Sequence, residues 1–279
     1  MQRTAFVAAM ALLATGCEAQ APDGPAANTA RDSASPAAVP ASALVQSSDL
    51  AGDRQGSGRE VDVESELYDF EYSYPDAAGA IPGLKALLDK RLSQARRELE
   101  RSAAADQREA GKDGYPYRKH SSGTKWEVVT SVPRWLSLSA EKYTYTGGAH
   151  GMAFFDSLLW DKTKQKAHEP LDLFTSKQAL SAAIREPFCA ALDKEREKRR
   201  GEPVEREGGD QFDECIDPVE STIILGSSDD LTLDRLGVLV GPYAAGPYAE
   251  GTYEITLPVT EAVIAAVKAE YRGDFTKRR

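Results

Sequence analysis

Three histidines (His120, His150 and His168) and three cysteines (Cys17, Cys189 and Cys215) hold most of the chain's capacity for acid–base, metal or thiol chemistry. No two histidines stand at the i, i+4 spacing of a helical metal pair and none adjoins a cysteine, so no metal site is expected. Asp210, Asp213, Glu214 and Asp217 crowd acidic oxygens together. They lack the glycine and the spacing of an EF-hand loop and read as a solvated loop. There is no Gly-x-Ser-x-Gly elbow, phosphate-binding loop or dinucleotide fingerprint, and no cofactor is expected. The 44 acidic side chains offer many carboxylate pairs and no reason to choose one.

Contact chemistry is better supplied than bond-making chemistry. Tyr143-Thr144-Tyr145-Thr146-Gly147-Gly148-Ala149-His150-Gly151 sets three glycines around a histidine. Such a loop can reach positive φ and bring backbone donors close to a partner. A second segment, Gly241 to Tyr248, places Tyr243 and Tyr248 on a turn shaped by proline and glycine. Rigid tyrosines on a stiff loop give contact area at low entropy cost. The residues expected to form one recognition surface are Tyr145, Gly147, Gly148, His150, Tyr243 and Tyr248. Plainer readings stay open: a hairpin turn whose histidine caps a carbonyl, and tyrosines that only plug a sheet end.

The cysteines bear on compartment. Arg3 gives a positive start, Thr4 to Leu13 is almost wholly apolar, and Ala14-Thr15-Gly16-Cys17 follows. The apolar run is shorter than the roughly 20 residues a bilayer span needs, so it reads as a processed signal. Cys17 is then the expected lipid acceptor, an ordinary secretory signal being the alternative. With residues 1–16 removed, 33 basic side chains face 44 acidic ones, net −11. That balance excludes nucleic acid as an expected partner. Cys189 and Cys215 remain as an even pair with no histidine close by, read as a disulfide in an oxidising compartment rather than as two free thiols or a metal pair. The expected location is extracytoplasmic or periplasmic, lipid-anchored, with inner or outer membrane undecided.

The elements that must position these residues follow from periodicity. Residues 17–63 are rich in Ala, Pro, Ser, Asp and Gly and read as a disordered tether. Tyr68, Phe70, Tyr72 and Tyr74 alternate with polar residues as a half-buried strand does. Ile81 to Leu99 carries one apolar stripe of a helix. A meander is expected over 126–132, 136–140 and 152–160. Thr175 and Gln178 read as a capping box opening a helix that Pro187 must kink or divide. Strands are expected at 221–225, 235–240 and 252–257, and a last helix from Thr260 to Tyr271. The order is mixed without regular βαβ alternation, hence α+β.

Tyr-Asp-Phe-Glu-Tyr-Ser-Tyr-Pro at 68–75, Tyr-Thr-Gly-Gly-Ala-His-Gly at 145–151, Leu-Asp-Leu-Phe at 171–174 and Gly-Pro-Tyr-Ala-Ala-Gly-Pro-Tyr at 241–248 are jointly distinctive. Over about residues 64–275 the chain resembles a paired domain of unknown function. That pair occurs in RsiV-type lysozyme-sensing anti-sigma factors and beside the catalytic domain of PdaC-type peptidoglycan deacetylases. The resemblance implies two small antiparallel-sheet-plus-helix halves, a PdaC-associated half at 64–172 and an RsiV-type half at 173–279. Sigma-binding and deacetylase segments are absent from this sequence, so neither activity carries over. The expectation is a cell-envelope lipoprotein that binds a protein or wall glycan, with a basic lysozyme-like muramidase or peptidoglycan as partner, and that is not an enzyme. A hydrolase using His150 and a purely structural lipoprotein are the alternatives.

Overall fold

In a computed structural model that describes residues 56–206 and 211–278, the alternating tyrosines form β2 (Tyr68–Tyr74), with Tyr68, Phe70, Tyr72 and Tyr74 all buried. Their partners come from α2 (Pro82–Asp113), preceded by the single turn α1 (Asp76–Gly79). Leu84, Leu88, Leu92, Leu99, Ala103 and Ala110 form its buried stripe. Each leucine so buried contributes about 1.5–3 kcal/mol of transfer free energy. Pro82 starts the helix where a missing N–H costs nothing. Gly114, at φ 77°, ends it in the left-handed conformation. The helix is therefore one turn after another beyond Leu99, carried through the alanine-rich stretch to Asp113.

Six strands make the larger sheet in chain order: β1 (Arg59–Glu64), β2, β3 (His120–Ser131), β4 (Trp135–Tyr145), β5 (Met152–Asp161) and β6 (Lys166–His168). All neighbours are antiparallel except β2 and β3, which run parallel. That corrects the expectation of a purely antiparallel sheet. With 32 residues, α2 is about 48 Å long, long enough to carry the chain back for a parallel return. β1 also corrects the tether, which was expected to reach residue 63. Val61 and Val63 pack on the α2 side while Glu60, Asp62 and Glu64 face away.

A second sheet contains β7 (Thr222–Gly226), β8 (Arg235–Val240) and β9 (Tyr253–Pro258), all antiparallel. It shares a core with α3 (Lys177–Arg200), α4 (Glu261–Ala266), and Trp135 and Leu159 from the larger sheet. The α+β class is as expected. The two sheets occupy 59–168 and 222–258 within one compact unit.

Three local expectations shift. Ser176, not Thr175, caps α3, accepting from the Ala179 amide at 3.0 Å, while Thr175 donates its hydroxyl to Ala266 O. Pro187 does not divide α3: it lies on the exposed face, where water can take the carbonyl that the missing N–H leaves free. The last helix stops at Ala266, because Val267 turns extended to bridge Phe174, and a 3-10 segment (Ala269–Asp274) follows. Cys189 and Cys215 are bonded, with Cα atoms 5.6 Å apart. Cys17 and the expected signal segment lie outside the described residues. No helix among those residues is long and apolar enough to cross a membrane.

Candidate recognition surface

The β4–β5 connection carries Gly147 at φ 90° and delivers His150 to the loop between β8 and β9. The His150 ring stacks on Tyr248, centroids 3.9 Å apart and planes 22° apart. Tyr248 donates its hydroxyl to Gly151 O at 3.0 Å, and Tyr243 Oη lies 3.2 Å from His150 Nε2. His150 Nδ1 sits 2.9 Å from Gly151 O. A carbonyl only accepts, so Nδ1 carries the proton and Nε2 receives the Tyr243 hydroxyl. Both ring nitrogens are engaged. Tyr145 donates to Gly148 O at 3.1 Å.

The structure thus brings Tyr145, Gly147, Gly148, His150, Tyr243 and Tyr248 together from two separate loops. It adds two residues the sequence did not single out for the site. Tyr143, 42% exposed, lies against Gly151, where any Cβ would overlap its ring. Burial first, then the neighbouring tyrosines 248 and 145, push its phenol above the ordinary value. Arg118 reaches Gly148 O at 3.2 Å and Gly147 O at 3.4 Å, holding the glycine turn from the segment just ahead of β3. Residue pattern along one loop could not reveal either contact.

The tyrosine loop is held from beneath. Tyr243 takes φ 66°, a conformation unusual for a side-chain-bearing residue and costly to hold. Ala245 plugs the core, and its carbonyl accepts from Arg196 Nε at 2.9 Å. Arg196 is fully buried and also donates to Asp213 O and Glu214 O, beside Cys215. Burial pulls its guanidinium below the usual value while Asp193 works against that. Arg200 pairs with Glu250 at 2.7 Å and Asp213 at 2.5 Å. Burial alone would raise the Glu250 carboxyl, but Arg200 and Tyr253 outweigh it and hold it low. Burial and Glu250 drive the Tyr253 phenol up to about 12. The disulfide, α3 and the tyrosine loop form one braced assembly.

The other candidates fall elsewhere. His168 packs edge-on against Trp135 at 5.7 Å, and burial lowers its pKa. It lines a groove of about 580 Å³ with Arg91, Asp156, Lys177 and Glu220. Asp217 accepts from Ser181 at 2.7 Å and caps the Pro218–Glu220 turn, and Asp210 lies outside the described residues. Among the described residues no group of three or more His, Cys, Asp or Glu is placed to hold a metal.

Residues 61–153 match the family model described as deacetylase PdaC, about a third of the chain. The match covers the larger sheet as far as the start of β5, with the Gly147–Gly151 loop, and stops before the tyrosine loop. Solved structures similar to this chain include two from the DUF3298 family. A DUF3298 family protein from Pseudomonas aeruginosa is 17% identical, covering 81% of this chain and 99% of its own, with TM-score 0.48. A DUF3298 family member from Bacteroides fragilis is 18% identical, covering 78% and 96%, with TM-score 0.45. A search of curated proteins gives no match.

Proposed function

We propose that this chain is a lipid-tethered cell-envelope binding module that captures a basic protein, a lysozyme-like muramidase being the concrete case. The supporting observation is one row of the larger sheet. Asp62 pairs with Glu71, Glu71 with Gly123, and Gly123 with Tyr143. Residues paired directly across strands share a face, so the acids of β1 and β2 run on one surface into the tyrosines. Glu60, Asp62, Glu64 and Glu71 are exposed there; Lys119 answers part of that charge, at Asp69 and Glu64, and Lys125 on the same face of β3 pairs with Glu127. An aromatic centre beside a predominantly acidic face suits a basic protein partner.

The resemblance to lysozyme-sensing domains and the net charge of −11 left after signal removal support the same reading. Support for a hydrolase centred on His150 is weaker, since its two nitrogens contact Gly151 O and the Tyr243 hydroxyl. The test is titration of the mature protein against a basic muramidase and, separately, against muropeptides. His150→Ala and Tyr248→Ala should each weaken muramidase capture by about tenfold or more, as truncation of a central aromatic contact does. Each variant loses the ring stack that joins the two loops, so melting temperature should fall modestly while the protein stays folded, and capture is compared on folded protein. Affinity should fall with added salt, because exposed opposite charges are screened. Capture of muropeptides alone would redirect the site to wall glycan. Turnover of a wall substrate that His150→Ala abolishes would overturn the binding reading.

A further inference from the structure

Ser102 and Asp106 stand one turn apart on α2, and His120, the first residue of β3, contacts both. Asp106 Oδ2 is 3.0 Å from Nε2, and Ser102 Oγ is 3.4 Å from Nδ1. The imidazole is 1% exposed, whereas Ser102 is exposed and the Asp106 side chain is about half exposed. A carboxylate can only accept, so Nε2 carries the proton and Nδ1 offers its lone pair to the Ser102 hydroxyl. Hydroxyl to imidazole to carboxylate is the order that activates a serine nucleophile, here with the two ring nitrogens exchanged. Docking of β3 on α2 accounts for the His120–Asp106 contact. It does not call for the hydroxyl of an exposed residue on the other nitrogen.

We propose that Ser102, His120 and Asp106 form a nucleophilic serine site that accepts the acyl group of small activated esters. Ser102 Oγ bonds to the acyl carbon as its proton passes to His120 Nδ1. The carbon–alkoxide bond breaks, and the departing alcohol takes that proton. Water then adds to the acyl-serine, delivering a proton through Nδ1 back to Ser102 Oγ and releasing the carboxylic acid. Asp106 orients the ring and balances the imidazolium. Backbone amides in mid-helix are committed to i−4 carbonyls, so α2 supplies no ready oxyanion donors around Ser102. Losing one such donor costs about 10²–10³ in rate, and covalent capture is therefore the primary readout, with slow turnover.

The full chain is treated with a fluorophosphonate, and separately with p-nitrophenyl acetate, and the adducts are mapped by mass spectrometry. Ser93, exposed on the same helix with its hydroxyl on Asp89 O at 2.9 Å, is the internal control. The expected result is an adduct on Ser102 in preference to Ser93, absent in Ser102→Ala. Labelling should slow at least tenfold in Asp106→Asn, with its pH dependence displaced. His120→Gln should abolish it, and if that variant fails to fold the half-exposed Asp106→Asn carries the test. No adduct, equal labelling of both serines, or an unchanged rate in Asp106→Asn would overturn the proposal. None of these outcomes bears on the tyrosine surface, which is built from other residues.

Discussion

Asp161 is a fully buried carboxylate that the fold keeps ionised. Burial by itself would raise its pKa. The amides of Lys164 and Thr163, each 2.9 Å from Oδ1, and Arg134 at 2.9 Å from Oδ2 outweigh burial and hold it below the ordinary value. Arg134 also grips Asp274, fastening the C-terminal segment to the larger sheet. A depressed folded pKa stabilises in full above the unfolded value of about 3.9 and is lost as pH falls toward the folded value. Asp161→Asn should lower the melting temperature at neutral pH and flatten its fall below about pH 4. Thermal melts across that range check this, and an unchanged acid slope would refute it. Residue roles of this kind were poorly legible in the sequence. His150 and the tyrosines advertised themselves through nearby glycines, whereas Tyr143, Arg118 and Arg196 gain their roles only from strand register and loop contact.

Secondary elements were more legible wherever one face is buried. β2, β8 and β9 show themselves by alternation, and α2 by its leucine stripe. β1 escaped notice because acids occupy its open side and the preceding composition resembles a tether. The early end of the last helix was hidden because the pairing of Val267 with Phe174 is a tertiary event. At this scale α3 is the brace: it carries Cys189 on one turn and Arg196 two turns later. Closing a loop between residues 26 apart contributes about 3–4 kcal/mol by chain-entropy reasoning. Reduction should lower the melting temperature. It should also speed amide exchange across 241–250, because Arg196 links that loop to the carbonyls beside Cys215. Two alkylatable thiols in unreduced protein, or exchange there that ignores reductant, would contradict this.

The whole molecule divides its labour between two sheets. The larger sheet packs α2 against one face and leaves the β1–β2 side of the other open. The smaller sheet covers the β3–β5 part of that second face and presents the tyrosine loop at its margin. This division was legible only in outline, since the order of strands within a sheet cannot be read from alternation. The proposed anchor adds a third part, with the mature chain beginning at a lipidated Cys17. Intact mass of the mature protein should show a diacyl or triacyl adduct at that residue, and Cys17→Ser should leave an unprocessed or soluble form. Each buried acyl CH₂ supplies about 0.8 kcal/mol of membrane attachment. An unmodified Cys17 at the mature terminus would end the anchoring idea.

Gly123, midway between Glu71 and Tyr143, is a blank in this surface. A Cβ built there meets nothing within 4 Å, and its φ lies outside the left-handed range. The protein's own packing is indifferent to what stands at that position, so a side chain added there speaks only to whatever lies across it. Gly123→Val should leave melting unchanged, or raise it slightly through the strand preference of a branched residue. It should obstruct a partner seated between the acids and the tyrosines. Undiminished capture by the valine variant would mean that the partner touches the two ends of the row without crossing its middle.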